Sequence, residues 1–162
     1  MDKRKQDIAY FISFCIEQYK NEKGISGSEA MALLSEYGVL EYLSEHWKIL
    51  HTQSRQWIIE DIDEFIRTRN EEHVWSSSAD AVCRSTGGNA MNLTITQENV
   101  HLLIPSKLSW MANMLAEDKG ISIVEAMKML YASEVYSRLE KESTKAWHLG
   151  SVALYEEFQE GA

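Results

Sequence analysis

Proline occurs once in the 162 residues, at Pro105, cysteine occurs only twice, and basic residues fall well short of acidic ones. Each scarcity excludes something. A proline-poor chain can carry uninterrupted helices, because proline removes an amide donor and clashes with the preceding turn. Cys15, inside an apolar stripe, and Cys83, in a polar stretch, make neither a disulfide framework nor a metal-ligand set. No apolar run approaches the roughly 20 residues of a membrane-spanning helix. Met1 to Lys5 leads directly into a mixed amphipathic segment rather than a signal-peptide apolar region, so the expectation is a cytoplasmic protein without a membrane partner. The 16 Lys and Arg stand against 25 Asp and Glu. Non-specific nucleic-acid binding rests on neutralising phosphates, so this balance disfavours it. The deficit is spread evenly: nine basic against twelve acidic residues in 1–70, one against four in 71–105, and six against nine in 106–162. No segment is therefore a basic arm or an acidic tail.

What the chain does have is self-similarity. Gly24-Ile25-Ser26-Gly27-Ser28-Glu29-Ala30-Met31 is echoed by Gly120-Ile121-Ser122-Ile123-Val124-Glu125-Ala126-Met127, 96 residues on. With one residue inserted, His51, Ser54 and Glu60 also align with His148, Ser151 and Glu157. The pattern predicts a tandem duplication; the plainer alternative is two helical hairpins capped by the same common residues.

Each half reads as helices. Ile8, Ile12, Cys15, Ile16 and Tyr19 fall on one helical face, broadened by Phe11 and Phe14, and Gly24 ends that helix. Ser26 with Glu29 forms a capping box for a second helix carrying Ala30, Met31, Leu33 and Leu34. Gly38 breaks it, a third helix runs through Val39, Leu43 and Trp47, and Ser54 caps a fourth with Ile58, Ile62, Phe65 and Ile66. The second half repeats this: Pro105 just before a helix with Leu108, Met111 and Leu115, Gly120 at its end, Ser122 and Glu125 as the next box, Val135 and Leu139 on the third helix, Ser151 as the last cap. Ser76 to Asn92, rich in Ser, Ala, Gly and Asn, reads as a flexible connection. Leu93 and Ile95, then Val100, Leu102 and Ile104, alternate around Gln97-Glu98-Asn99 and allow a short β-hairpin. The expected fold is all-α: unit one at 1–69, a linker at 70–104 and unit two at 105–162, two related four-helix units packed as a pseudo-dimer.

Chemistry is sparse. Ser54 and Ser151, three residues after His51 and His148, resemble a nucleophile with its base, but a capping serine is already engaged and no G-x-S-x-G elbow surrounds either. A histidine fixing the turn through a backbone hydrogen bond is the simpler account. His46 and His51 are off the i, i+4 register of a metal pair, and Glu60, Asp61, Asp63 and Glu64 read as the wet face of an amphipathic helix. Gly87-Gly88 lacks the rest of any phosphate or dinucleotide loop, so no cofactor is expected. Arg138, Lys141 and Lys145 share a face that a DNA-reading helix could use, yet Glu134 and Glu142 make an ion-pair ladder the simpler reading. Trp57, Trp110 and Trp147 sit at or beside the core stripes. Any of them left exposed would suit a protein interface, where Trp, Tyr and Met are enriched.

From Ile8 through Phe65, the opening amphipathic helix, the Gly-Ile-Ser-x-x-Glu-Ala turn, Tyr37-Gly38-Val39, Leu50-His51-Thr52 and Ile59-Glu60-Asp61-Ile62-Asp63 resemble a family of short bacterial proteins catalogued only as a domain of unknown function. Ser106 to Glu157 resembles a more divergent branch, with Trp147-His148 and Leu154-Tyr155-Glu156-Glu157 as its closing motif. Members commonly have a single unit and are often encoded beside proteins similar to ADP-ribosyltransferase toxins, which implies an antitoxin, immunity or accessory role. The expected function is thus a non-catalytic protein-interaction module, with a toxin-like protein as partner. Its partner-binding residues would be His51, Trp57, Glu60, His148, Tyr155 and Glu157, with neither catalytic residues nor metal ligands. A self-associating structural or regulatory module is the alternative, and a DNA-binding regulator a weaker one.

Overall fold

A computed structural model describes residues 2–70 and 94–161. Those residues form nine α-helices and three short 3-10 turns, with no strand among them. The first half contains α1 (Lys3–Lys23), α2 (Gly27–Glu36), α3 (Val39–Glu45), α4 (Trp47–Leu50) and α5 (Arg55–Asn70). The second contains α6 (Ile104–Lys119), α7 (Ile123–Tyr131), α8 (Glu134–Leu139) and α9 (Ser151–Gly161). No helix among the described residues is long and apolar enough to cross a membrane.

The helix boundaries follow from local chemistry. Gly24 and Gly120 end α1 and α6 in the left-handed region at φ 65° and 64°, which glycine enters without a Cβ penalty. Ser26 and Ser122 each accept the amide of the glutamate three residues on, and Glu29 and Glu125 each accept the serine amide in return. Those carboxylates are held below the usual range chiefly by that backbone hydrogen bond. The two turns are thus the same structure repeated 96 residues apart.

The interval of 96 also holds where the sequence alignment needed an insertion. Ser54 occupies the cap position of α5, its carbonyl accepting the Ile58 amide and its hydroxyl the Trp57 amide at 3.3 Å. In α9 the corresponding carbonyl belongs to Gly150, which accepts the Leu154 amide, and Ser151 is the first helical residue. Ser151 is therefore not the cap, and the geometric counterpart of Ser54 is Gly150. Pro105 likewise lies within the first turn of α6, where its missing amide would have no helical partner in any case.

Over 94–104 the chain forms no hairpin. The Asn99 side chain accepts the Thr96 amide at 2.7 Å and donates to the Thr94 carbonyl at 2.9 Å, closing a turn that leads into a 3-10 turn at Val100–Leu102 and then α6. An asparagine side chain bonded to the backbone of residues three and five positions before it competes with strand pairing, which explains why the apolar alternation does not become a strand. Leu93 and the glycine- and serine-rich connection lie outside the described residues.

The buried side chains of both halves make one continuous core. Ile12, Ile16 and Tyr19 of α1 join Leu108, Met111 and Leu115 of α6 and Met127 and Leu130 of α7 in it. Helix α1 runs through the middle: from Phe11 to Lys20 every residue but Phe14 is buried. A helix buried all round must satisfy its polar side chains inside the protein, and this requirement creates the cluster described next.

Candidate functional site

Two features stand out. The first is a polar cluster where α1 meets the second half. Glu17 is fully buried, and its Oε1 accepts hydrogen bonds from the hydroxyls of Tyr136 at 2.7 Å and Tyr131 at 3.1 Å. Its Oε2 lies 2.7 Å from Lys20 Nζ. Lys20, one turn on and also buried, donates to Tyr136 Oη at 3.1 Å and Glu140 Oε2 at 3.2 Å. Glu140 Oε2 also accepts the Gly27 amide at 2.7 Å, and Ser13 Oγ sits 2.9 Å from Tyr131 Oη. Burial pushes the Glu17 carboxyl up, against the pull of Lys20 and of the hydroxyl donors. Burial likewise raises both tyrosines, with Glu17 adding to the effect, so the phenols stay protonated as donors. Glu17 Oε2 has the Lys20 ammonium beside it but accepts no hydrogen bond, and the remaining bonds of the cluster hold α8 against α1 and the start of α2.

The second feature is an open groove of about 560 Å³ between α1 and the α4–α5 corner. Tyr10, Phe11 and Phe14 form one wall, and Trp47, His51 and Ile58 the other, with Asp7, Gln53 and Arg55 around them. Tyr10 is 45% exposed. The His51 ring stacks on Trp47 with centroids 4.5 Å apart, and its Nδ1 lies 2.6 Å from the Trp47 carbonyl. Arg55 donates to the side-chain Oε1 of the buried Gln18 at 3.1 Å, which ties its guanidinium to α1. The groove is therefore lined by rings and a positioned cation and holds no nucleophile with a base.

Of the six residues expected to bind a partner, the structure brings only His51 into this groove. Trp57 and Glu60 lie outside it on exposed positions of α5, with Glu60 accepting a hydrogen bond from the Gln56 side-chain Nε2. His148 stacks on Trp147 at 4.1 Å and is exposed. Glu157 pairs with Arg138 at 2.9 Å beside a different groove, of about 650 Å³, lined by Met129, Val135 and Phe158. Tyr155 is only 7% exposed: its ring packs in the core and its hydroxyl donates to Asp118 at 2.5 Å, so it offers a partner little surface. The Arg138 ladder gives way to this Glu157 pair. Helix α8 also ends at Leu139, so Lys141 and Lys145 lie beyond it and share no helical face with Arg138.

Tyr10, Phe14, Trp47 and Arg55 were not among the expected site residues, although Phe14 and Trp47 were placed on helices. Their signal was present in Phe11 and Phe14, which make the apolar stripe of α1 wider than one core contact requires. Trp57 and Trp110, at or beside the core stripes in the sequence, are 44% and 43% exposed.

Residues 10–69 match a family described as a protein of unknown function, DUF3791. The DUF3791 stretch begins inside α1 and ends with α5, so it takes in every residue of the aromatic groove except Asp7. It also contains Glu17, Lys20 and Gly27, whereas Tyr131, Tyr136 and Glu140 come from outside it. No curated protein and no solved structure matches the chain.

Proposed function

We propose that this chain is a non-catalytic protein-interaction module built from two related halves, and that its partner is a toxin-like protein seated on the α1/α4–α5 groove. The observation that carries the surface is the convergence of Tyr10, Phe14, Trp47 and His51 beside an anchored Arg55 within the DUF3791 stretch. Aromatic residues and arginine concentrate binding energy at protein interfaces because they bury large rigid areas while keeping a polar handle. The repeated caps at an interval of 96 residues support the duplication. The kind of partner rests on the family resemblance.

The test is co-expression with a toxin-like protein encoded beside this chain. A stoichiometric complex with suppressed toxicity is expected, weakened by about 2 kcal/mol or more when Trp47 is replaced by alanine, as for a central aromatic anchor. Untouched toxicity with nothing recovered overturns the reading. The self-associating alternative draws on Tyr10 and Trp110, which line a shared pocket across α1 and α6. Light scattering separates the two readings, since a stable homo-oligomer that hides these rings favours self-association.

A further inference from the structure

The polar cluster is asymmetric in a way the repeat makes measurable. At the interval of 96 residues, Glu17 and Lys20 correspond to Asn113 and Ala116, while Tyr131, Tyr136 and Glu140 correspond to Ser35, Leu40 and Ser44. Gly27 corresponds to Ile123. The charges thus belong to the first half, the phenols and their neighbouring carboxylate to the second, and the notch that admits Tyr136 to the first alone.

We infer that this cluster makes the pairing of the two halves selective: residues 2–70 accept the α7–α8 face of the second half and reject a second copy of themselves. The inference rests on the reading of the chain as two related halves and not on the identity of any outside partner. Two first halves joined by the same contacts would bury Glu17 and Lys20 opposite Ser35, Leu40 and Ser44, without the two long phenol donors and without the carboxylate that Lys20 and the Gly27 amide share. A buried charge that loses a hydrogen-bonding partner keeps its full desolvation penalty. Two second halves fail for a different reason. A Cβ at Gly27 would fall on the Tyr136 hydroxyl and ring edge, closer than real Cβ contacts come. Ile123 would place a branched side chain there. One wrong pairing is opposed by desolvation and the other by overlap, which is how a pair of related surfaces avoids matching itself.

The test keeps every residue of the chain. A protease site inserted after residue 80 allows the folded, purified protein to be cut. Cut protein is then unfolded in urea and refolded together with cut protein whose first half carries a mass tag, and native mass spectrometry counts the pairs. Pairs of unlike halves are expected to exceed pairs of first halves by at least about tenfold over the statistical mixture, a ratio that small free-energy differences readily produce. Glu17→Asn with Lys20→Ala, the residues of the second half, should raise pairs of first halves about tenfold over wild type. A statistical mixture for wild type, or no such rise in the variant, overturns the inference. Should cut protein fail to refold, the intact chain decides through a double-mutant cycle of Glu17→Gln and Tyr136→Phe. Non-additive shifts in the urea midpoint support the cluster as one unit, and additive shifts overturn it.

Discussion

Gly27 lies directly beneath the Tyr136 phenol, so near that no Cβ fits between them, and the same residue gives its amide to Glu140. A residue in the first turn of α2 thereby sets the seat of α8, more than a hundred positions away. Gly27→Ala is expected to destabilise the protein by about 1–3 kcal/mol, the usual range for an overpacked core, despite alanine's better helix propensity. Chemical denaturation measures it, and a midpoint at or above that of wild type refutes the close approach.

Glu17 gives stability a sign with pH. Its folded carboxyl binds protons more tightly than the unfolded one, because burial raises it. The folded state therefore holds the extra proton, and stability is lost as pH rises above the ordinary glutamate value of about 4.3. Glu17→Gln abolishes this titration while keeping an acceptor for the two tyrosines. The stability of wild type relative to Glu17→Gln should accordingly fall between pH 4 and pH 7 in urea titrations. A difference that stays constant or rises with pH contradicts it.

Ser26 and Ser122 cap α2 and α7 with the same box. Replacing either by alanine should lower stability by about 1 kcal/mol, the typical loss for an N-cap. Thermal melts of the two single variants check this, and unchanged melting in both contradicts the cap assignment.

Asn113 is fully buried on α6, with neither side-chain oxygen nor nitrogen hydrogen-bonded among the described residues. Asn113→Leu removes an unsatisfied amide and keeps the number and branching of the side-chain heavy atoms, so a gain of about 1–3 kcal/mol is expected. A loss measured by denaturation shows that the amide has a partner worth more than its desolvation.

The features legible in the sequence are those whose causes lie within a turn or two of chain. Gly24, Gly120 and the Ser26–Glu29 and Ser122–Glu125 boxes were readable because a cap bonds to residues three or four positions away. The stripe of Ile12, Ile16 and Tyr19 was readable because burial on one face imposes the helical period. The hairpin that the alternation from Leu93 to Ile104 allowed does not form over 94–104, since alternation alone does not reveal that the Asn99 side chain bonds the backbone of Thr94 and Thr96.

Tertiary structure decided the rest. Glu17 and Lys20 look like ordinary surface charges in the sequence, yet they sit at the centre of the fold, because α1 is covered by the second half and their partners lie 114 to 120 residues on. Gly27 reads as a loose position in a repeated motif, and only the arrival of Tyr136 makes the missing side chain a requirement. Trp57 and Trp110 carry the chemistry of core residues but face outward, because α5 and α6 bury other faces, through Ile58 and Ile62 and through Leu108 and Met111. Period and capping act along the chain, whereas burial of a charge or exposure of a ring depends on what another segment brings against it.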